Sequence, residues 1–367
     1  MPKPEKPAKN DENAGNSSVS VVSKLSIAPM MDWTDRHCRF FLRGFSREVL
    51  LYTEMIHANA IIHGDRERLL GYHAEEHPLA LQLGGSDPAQ LALAARIGAD
   101  LGYDEINLNC GCPSDKVQKG EFGACLMREP ARVADCVAAM RAAVSVPVTV
   151  KMRIGTVDGY ASDRGEELRR FDDRDYEALR DFVERLATVG CAQMIVHARK
   201  AVLGRFSPKD NREVPPLRYD VLKALRRDFP ASRFALNGGL RTTAQVQGAL
   251  TLAHSAMLGR EAYHRPLFLQ ELAQEILGET PSSTDFMLDR MTDYATAAQA
   301  GGTRLPAVTR HLLGWFTGSS GSREFRRALS EGARAPDAGA ALIWRAATAV
   351  LRSPPATQPP HTLESTG

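Results

Sequence analysis

No apolar run in this 367-residue chain approaches the roughly 18 residues that a membrane-spanning helix needs, which excludes a helical membrane protein. Cysteine is scarce and unpaired in pattern. The six cysteines, at positions 38, 110, 112, 125, 136 and 191, show neither a regular pairing nor a Cys-x-x-Cys spacing. Disulfide scaffolds are short and cysteine-dense, so a reduced, cytoplasmic protein is expected. Metal-ligand spacing is missing as well: His57 and His63 stand six apart, which is not one helical face, and no metal is expected. Nor is there a Rossmann glycine fingerprint, so no separate dinucleotide domain is expected. Neither sign of charge dominates, with a net charge of +2, and that balance alone points to no partner. What is present suffices for a folded core: 43% of residues are hydrophobic. Residues 1–22 and 353–367 are polar and read as disordered tails, the first without the apolar h-region of a signal peptide.

Between Lys24 and Arg260 short apolar runs alternate with helical patterns. Strands are predicted at 25–30, 49–55, 79–83, 105–109, 148–152, 193–196, 233–236 and 255–258, with helices at 88–101, 130–144, 176–189, 217–228 and 243–252. Breakers fall where helices should begin and end: Asp87-Pro88, Thr242-Thr243, and Gly190. Eight strand–helix units predict an α/β chain closed into a (β/α)8 TIM barrel, since an open doubly wound sheet would not readily use eight equal units. The barrel is assigned to residues 23–262. Residues 263–352 have helical periodicity without clear strands and are expected to form a C-terminal all-helical domain.

In such a barrel the active site lies at the carboxyl ends of the strands. Those ends carry amides, a lysine, a histidine, arginines and glycines, a set that packing alone does not explain. After the fourth strand the alternating run breaks at Gly111 and leaves Cys112 in front of Pro113. The proline fixes its own φ and biases Cys112 toward extended geometry, so the thiol's direction is largely preset. Asn237-Gly238-Gly239 and Gly259-Arg260 follow the seventh and eighth strands, where barrels commonly bind phosphate on exposed backbone amides. Gln82 and Asn107 offer amides to a flat hydrogen-bonding ring, Lys151 offers a cation, and Pro29, Met30 and Met31 offer an apolar floor with soft sulfur. Phosphate, polarisable floor and cation together describe flavin mononucleotide (FMN).

The segments Ala28-Pro29-Met30-Met31-Asp32-Trp33-Thr34-Asp35, Tyr52-Thr53-Glu54-Met55, Gln82-Leu83-Gly84-Gly85, Asn107 to Gln118, Val150 to Gly155, Val196 to Lys200, Asn237-Gly238-Gly239 and Met257 to Glu261 are highly specific in combination. Together they resemble the tRNA-dihydrouridine synthases, most closely the bacterial A subfamily (the 20/20a synthases), from about Leu25 to Val350. The resemblance implies that FMN is held by Pro29, Met30, Met31, Gln82, Lys151, His197, Asn237, Gly238, Gly239, Gly259 and Arg260. It implies that Cys112 is the proton donor, that NADPH is the reductant, and that Asn109, Lys209, Arg212, Arg323 and Arg326 contact tRNA. Cys110 alternates away from Asn109 and reads as packing. The segment 159–170 is longer and more charged than the family pattern.

The chemistry expected on that resemblance is hydride addition to C6 of a uracil and protonation of C5, at uridine 20 or 20a of the D-loop, by a monomer. From Gly302 to Arg352 the chain has eight arginines, no lysine and three acids, which suits phosphate contacts on RNA. The alternative is an FMN barrel that reduces a free small molecule, but it gives no reason for the arginine-rich helical appendage. A non-catalytic RNA-binding scaffold would not be expected to retain Cys112 and the whole flavin set.

Overall fold

The structure, a computed structural model, describes residues 23–114, 117–118, 120–158, 168–204 and 206–352. The two tails and most of the 159–170 segment lie outside the described residues. Ten strands are present: β1 Leu25–Ile27, β2 Leu51–His57, β3 Leu79–Gly84, β4 Glu105–Cys110, β5 Val148–Arg153, β6 Thr156–Asp158, β7 Met194–His197, β8 Ala201–Leu203, β9 Phe234–Asn237 and β10 Ser255–Leu258. Eight of them form one parallel sheet in the order β1-β10-β9-β7-β5-β4-β3-β2. The sheet closes on itself where the Ile27 amide donates to the Leu50 carbonyl and the Leu50 amide to Leu25. The result is the expected (β/α)8 barrel, followed by a C-terminal all-helical domain.

The two-residue period of the strands decides which side chains face the barrel axis. In β4, Ile106, Leu108 and Cys110 join the main apolar core outside the barrel, and Glu105, Asn107 and Asn109 point the other way. Cys110 is therefore packing. Inside the barrel, Tyr52, Ala80, Ile195, Ala235 and Met257 form a separate apolar cluster, so the interior is a filled core rather than a pore. Outside, the predicted helices appear as Pro88–Asp100, Pro130–Ala143, Asp173–Thr188, Tyr219–Asp228 and Thr243–Leu252. Asp87 caps the first through the Gln90 amide, Thr242 caps the last through Gln245, and Gly190 takes a positive φ just past the third.

Two strands, β1 and β2, differ from the sequence reading by more than one residue, for local reasons. β1 stops at Ile27 because Pro29 has no N–H to offer the ladder, and the Met30 amide turns to the Thr34 hydroxyl instead. β2 runs on to His57 after a shift of register between Tyr52 and Met55. The parallel pair β6 and β8 was not anticipated; it lies beside the mouth of the barrel.

The helical domain includes Thr284–Ala300, Leu305–Thr309, Ser322–Gly332 and Leu342–Leu351. It meets the barrel through the helix Arg36–Arg43. Trp315 is fully buried, with its ring edge-on to Phe41 and Phe45, and Phe40 stacks on Tyr294 at 4.0 Å. Asp35 fastens the same joint. Its carboxylate caps Arg36–Arg43 through the His37 and Cys38 amides, pairs with Arg310 at 2.5 Å and meets His311 at 3.0 Å. Burial alone would raise the Asp35 carboxyl, but the hydrogen bonds from His311, the Cys38 amide and Arg310 outweigh it and hold the group well below the usual carboxylate range.

A depressed folded-state pKa contributes stability that is complete above the unfolded value of about 4 and is lost as pH falls below it. Asp35→Ala should therefore cost about 2–3 kcal/mol at pH 7, from a lost cap and a broken half-buried pair. Urea unfolding should show that difference narrowing at pH 3. An equal difference at both pH values would contradict the assignment.

Candidate active site

Parallel register assembles the mouth. Asn107 lies opposite Gln82 on β3 and Thr149 on β5, Asn109 opposite Lys151, Arg153 opposite His197, and His197 opposite Asn237. Eight polar side chains on five strands thus form three adjoining rows toward the carboxyl ends. Gln82 is buried and spends one amide hydrogen on Asn107 (2.8 Å) and one lone pair on Asn109 (2.8 Å), which leaves one of each for a ligand. Asn107, which the sequence offered as a rim amide, sits a layer lower. It is fully buried between Gln82 and Thr149.

Cys112 follows β4 and is held by its backbone. Its amide donates to Asn109 Oδ1 at 2.9 Å, as does the Gly111 amide at 3.1 Å, and its carbonyl accepts from Ala124 at 2.9 Å. The thiol is half-buried, 3.6 Å from the Ser114 hydroxyl. Gln118 ties the following turn down by donating to the Pro113 carbonyl and accepting from the Gly204 amide. Gly123 is part of this clamp. It has φ of 69°, and a Cβ there would stand 2.6 Å from the Cys112 carbonyl oxygen and 2.4 Å from Val117.

The opposite side of the mouth is strongly cationic. Burial, with help from Arg153, lowers Lys151 to about 7, and among the described residues no carboxylate acts on it. Arg153 is lowered to about 9, chiefly by burial, while its guanidinium grips the carbonyls of Gly111, Lys200 and Asn211. Those bonds connect the cysteine turn to the short helix Asp210–Glu213, whose Asn211 is fully buried and bonded to both the amide and the carbonyl of Val202. Burial and then the charges of Arg153, Lys151, Arg199 and Arg212 push His197 well below its ordinary value, so the ring is neutral at neutral pH.

Arg199, Arg212 and Arg260 complete the cluster. Arg260 pairs with Glu213 at 2.8 Å, and Arg199 reaches the carbonyls of Glu213 and Pro215. The Nε atoms of Arg199 and Arg212 are buried without a partner among the described residues. Gly238 and Gly239 pass close by with φ of 114° and 75°. A Cβ on Gly238 would lie 2.7 Å from the His197 ring, so glycine is needed for the backbone to run here. Asn237 donates to the Met257 carbonyl at 2.9 Å, and Tyr219 donates to Gly238 at 2.6 Å. Gly259 has open space around its Cα and precedes Arg260. Unsatisfied guanidinium donors beside exposed backbone make a site for an anion such as phosphate.

Other predicted residues are spread more widely. Pro29 and Met30 are half-buried beyond β1, whereas Met31 is 55% exposed. Lys209 is exposed, while Arg212 on the same short helix sits with the cation cluster, within the influence of Arg260 and Cys112. Arg323 and Arg326 lie on Ser322–Gly332, with Arg323 exposed and Arg326 half-buried; this helix packs on Leu305–Thr309, Leu312–Gly314 and Leu342–Leu351 rather than forming the mouth. Arg153, Asn211 and Gly123 were not singled out as site residues by sequence. Their part depends on carbonyls distant in the chain, which no local spacing displays.

A TIM barrel whose mouth holds a pinned thiol, a buried amide with a spare donor and acceptor, and a cluster of cations has the make-up of an enzyme that handles an anionic ligand. The family model for dihydrouridine synthase (Dus) matches residues 26–350. The chain is 53% identical over 323 residues to the tRNA-dihydrouridine(20/20a) synthase of Xanthomonas campestris pv. campestris, covering 88% of this chain and 92% of that one. It is 51% identical over 309 residues to the protein of that name from Pseudomonas putida (84% and 88%), and 49% identical over 331 residues to the one from Synechocystis sp. (89% and 94%). The chain belongs to the dihydrouridine synthase family.

The clamp on Cys112 gives a direct expectation. Gly123→Ala should displace the Cys112 carbonyl and destabilise the fold by about 1–3 kcal/mol, because a Cβ clash adds to left-handed strain. Thermal unfolding and the alkylation rate of Cys112 would measure both effects. Unchanged values would show that the turn does not depend on Gly123.

Proposed function

We propose that this enzyme reduces the C5–C6 double bond of uridine in the tRNA D-loop, at position 20 or 20a, as an NADPH-dependent flavoprotein. The carrying observation is the convergence of Cys112, Asn109 and Lys151 at the mouth of a barrel whose relatives bear the name of that activity.

The residues present fit FMN. The partnerless Nε atoms of Arg199 and Arg212, the glycine backbone at Gly238 and Gly239, and Gly259 with Arg260 suit its phosphate. The spare donor and acceptor of Gln82 suit the edge of its ring, with Lys151 and His197 beside it and Asn237 fixing the adjacent strand. Pro29, Met30 and Met31 would cover the ring from the first strand. When bound and reduced, FMN supplies the hydride that adds to C6 of the uracil.

The protein's own groups do the rest. The Lys151 ammonium would hold negative charge on a bound ligand, and an anion there would return its lowered pKa toward the ordinary lysine value. Asn109, which fixes the Cys112 amide, keeps one Nδ2 hydrogen with which it would orient a uracil carbonyl. The Cys112 thiol donates its proton to C5, the carbon at which charge accumulates once C6 has accepted hydride. Neutral His197 can donate to or accept from a ligand without adding charge.

A base inside folded tRNA must leave its stack to reach this mouth. Exposed Lys209, Arg212 at the mouth and Arg323 and Arg326 on the helical domain would hold the surrounding phosphates. The barrel at 23–262 would then do the chemistry and the helices at 263–352 the gripping, in a monomeric cytoplasmic enzyme.

The test is to incubate unmodified tRNA transcript with protein, FMN and NADPH and to map the products by mass. A D-loop uridine that gains two hydrogens at position 20 or 20a is the expected result. NADPH oxidation and bound flavin without modification of any transcript would instead indicate reduction of a free small molecule.

A further inference from the structure

Beneath the mouth the barrel holds a continuous chain of hydrogen bonds that runs on to residues to which no role has been given. It starts at the Gly111 and Cys112 amides, which donate to Asn109 Oδ1. Asn109 Nδ2 donates to Gln82 Oε1, Gln82 Nε2 to Asn107 Oδ1, and Asn107 Nδ2 to Thr149 Oγ1, each at 2.8 Å. The Thr149 hydroxyl then donates to Glu105 Oε1 at 2.5 Å, and the Tyr52 hydroxyl donates to the same oxygen at 2.5 Å. Glu105, Thr149 and Tyr52 are buried, on three different strands. From Glu105 to Asn109 the chain of bonds climbs about 13 Å along β4, at roughly 3.3 Å per residue.

The polarity of this chain is fixed from both ends. Backbone amides can only donate, so Asn109 must show them its oxygen and has only its nitrogen left for Gln82. That choice propagates: Gln82 must present oxygen to Asn109 and nitrogen to Asn107, and Asn107 nitrogen to Thr149. At the far end Thr149 and Tyr52 both meet Glu105 Oε1, and with the carboxyl ionised that oxygen only accepts, so the threonine hydrogen goes to Glu105. The two ends demand the same direction. A side-chain amide inverted at any link would set donor against donor or acceptor against acceptor.

We propose that Glu105 and Thr149 are positioning residues, which hold the Gln82 and Asn109 amides in the orientation the mouth requires and so fix the place of Cys112. They touch neither ligand nor reacting atoms. The proposal rests on the reading of the mouth given above for what Gln82 and Asn109 face, but not for the link to Cys112, which is within the protein. Burial raises the Glu105 carboxyl to about 7 against the two hydroxyl bonds that lower it, so its place in the barrel is retained against a desolvation cost. Tyr52 and Thr149 both donate to Oε1 of that group, and Tyr52 belongs to the apolar cluster inside the barrel.

Thr149→Val cuts the chain with little change of shape, and Thr149→Ser keeps the hydroxyl. Glu105→Leu removes the terminal acceptor, and Glu105→Gln retains one. Thermal unfolding would first establish which variants fold. In protein without flavin, the alkylation rate of Cys112 by iodoacetamide should change in Thr149→Val by about three- to tenfold relative to Thr149→Ser, the range a net hydrogen bond contributes. With FMN, its Kd and visible spectrum should change in Thr149→Val, and kcat/KM should fall by about 10–100-fold, as misplacement of reacting groups by up to an ångström does. Glu105→Leu should follow Thr149→Val, and Glu105→Gln should recover much of the loss. Equal alkylation rates, FMN binding and kcat/KM in folded Thr149→Val and Thr149→Ser would overturn the proposal. If the unsubstituted protein bound no FMN, the functional reading would fail, and the thiol measurement would still decide the positioning role.

Discussion

The parallel register of β3, β4, β5, β7 and β9 is the constraint on which everything else depends. It sets Gln82, Asn107 and Thr149 in one row, Asn109 beside Lys151, and Arg153 beside His197 and Asn237. A slip of one residue in β4 would turn Asn109 into the helical layer and bring Cys110 inside. Such a slip is opposed by the burial of Ile106, Leu108 and Cys110 among the outer helices. The hydrophobic pattern on one face of the strand thus fixes polar chemistry on the other.

The mouth has two unlike halves. One consists of amides joined in a single direction, with a thiol at their upper end. The other is a crowd of cations, of which Lys151 is lowered by burial and by Arg153, Arg153 is lowered by burial and by Arg199 and Arg212, and whose paired acid is Glu213. Like charges so close are unfavourable without an anion, and the buried, partnerless guanidinium nitrogens mark where one would be received. Arg153 bridges the halves, because its bonds to Gly111, Lys200 and Asn211 fix the cysteine turn and the Arg212 helix together. The Asp35 joint does the equivalent for the helical domain by tying Arg310 and His311 to the first barrel helix.

Much of this was legible in sequence, because barrels place their chemistry at strand ends and Pro113, Gly238 and Gly259 mark those ends. The eight-strand count, the outward direction of Cys110 and the rim position of Lys151 followed from alternation and order alone. A search confined to the rim passed over Glu105, at the start of its strand. The pattern Glu-x-Asn-x-Asn on β4, polar at each inward position, was the available signal. The three-residue strands β6 and β8 are too short to carry a period, and the short helix that brings Arg212 to the mouth is set by contacts with Arg153 and Val202 far away in sequence.

The central claim is that Cys112 supplies the proton to the reduced base. Its most direct test is a single turnover, in which FMN-loaded protein is first reduced by NADPH and then mixed with unmodified tRNA. Cys112→Ala should accept electrons from NADPH as the unsubstituted protein does, yet reoxidise on tRNA about 10²–10⁴ times more slowly, the usual worth of a general acid. Equal reoxidation by the two proteins would show that the proton comes from elsewhere.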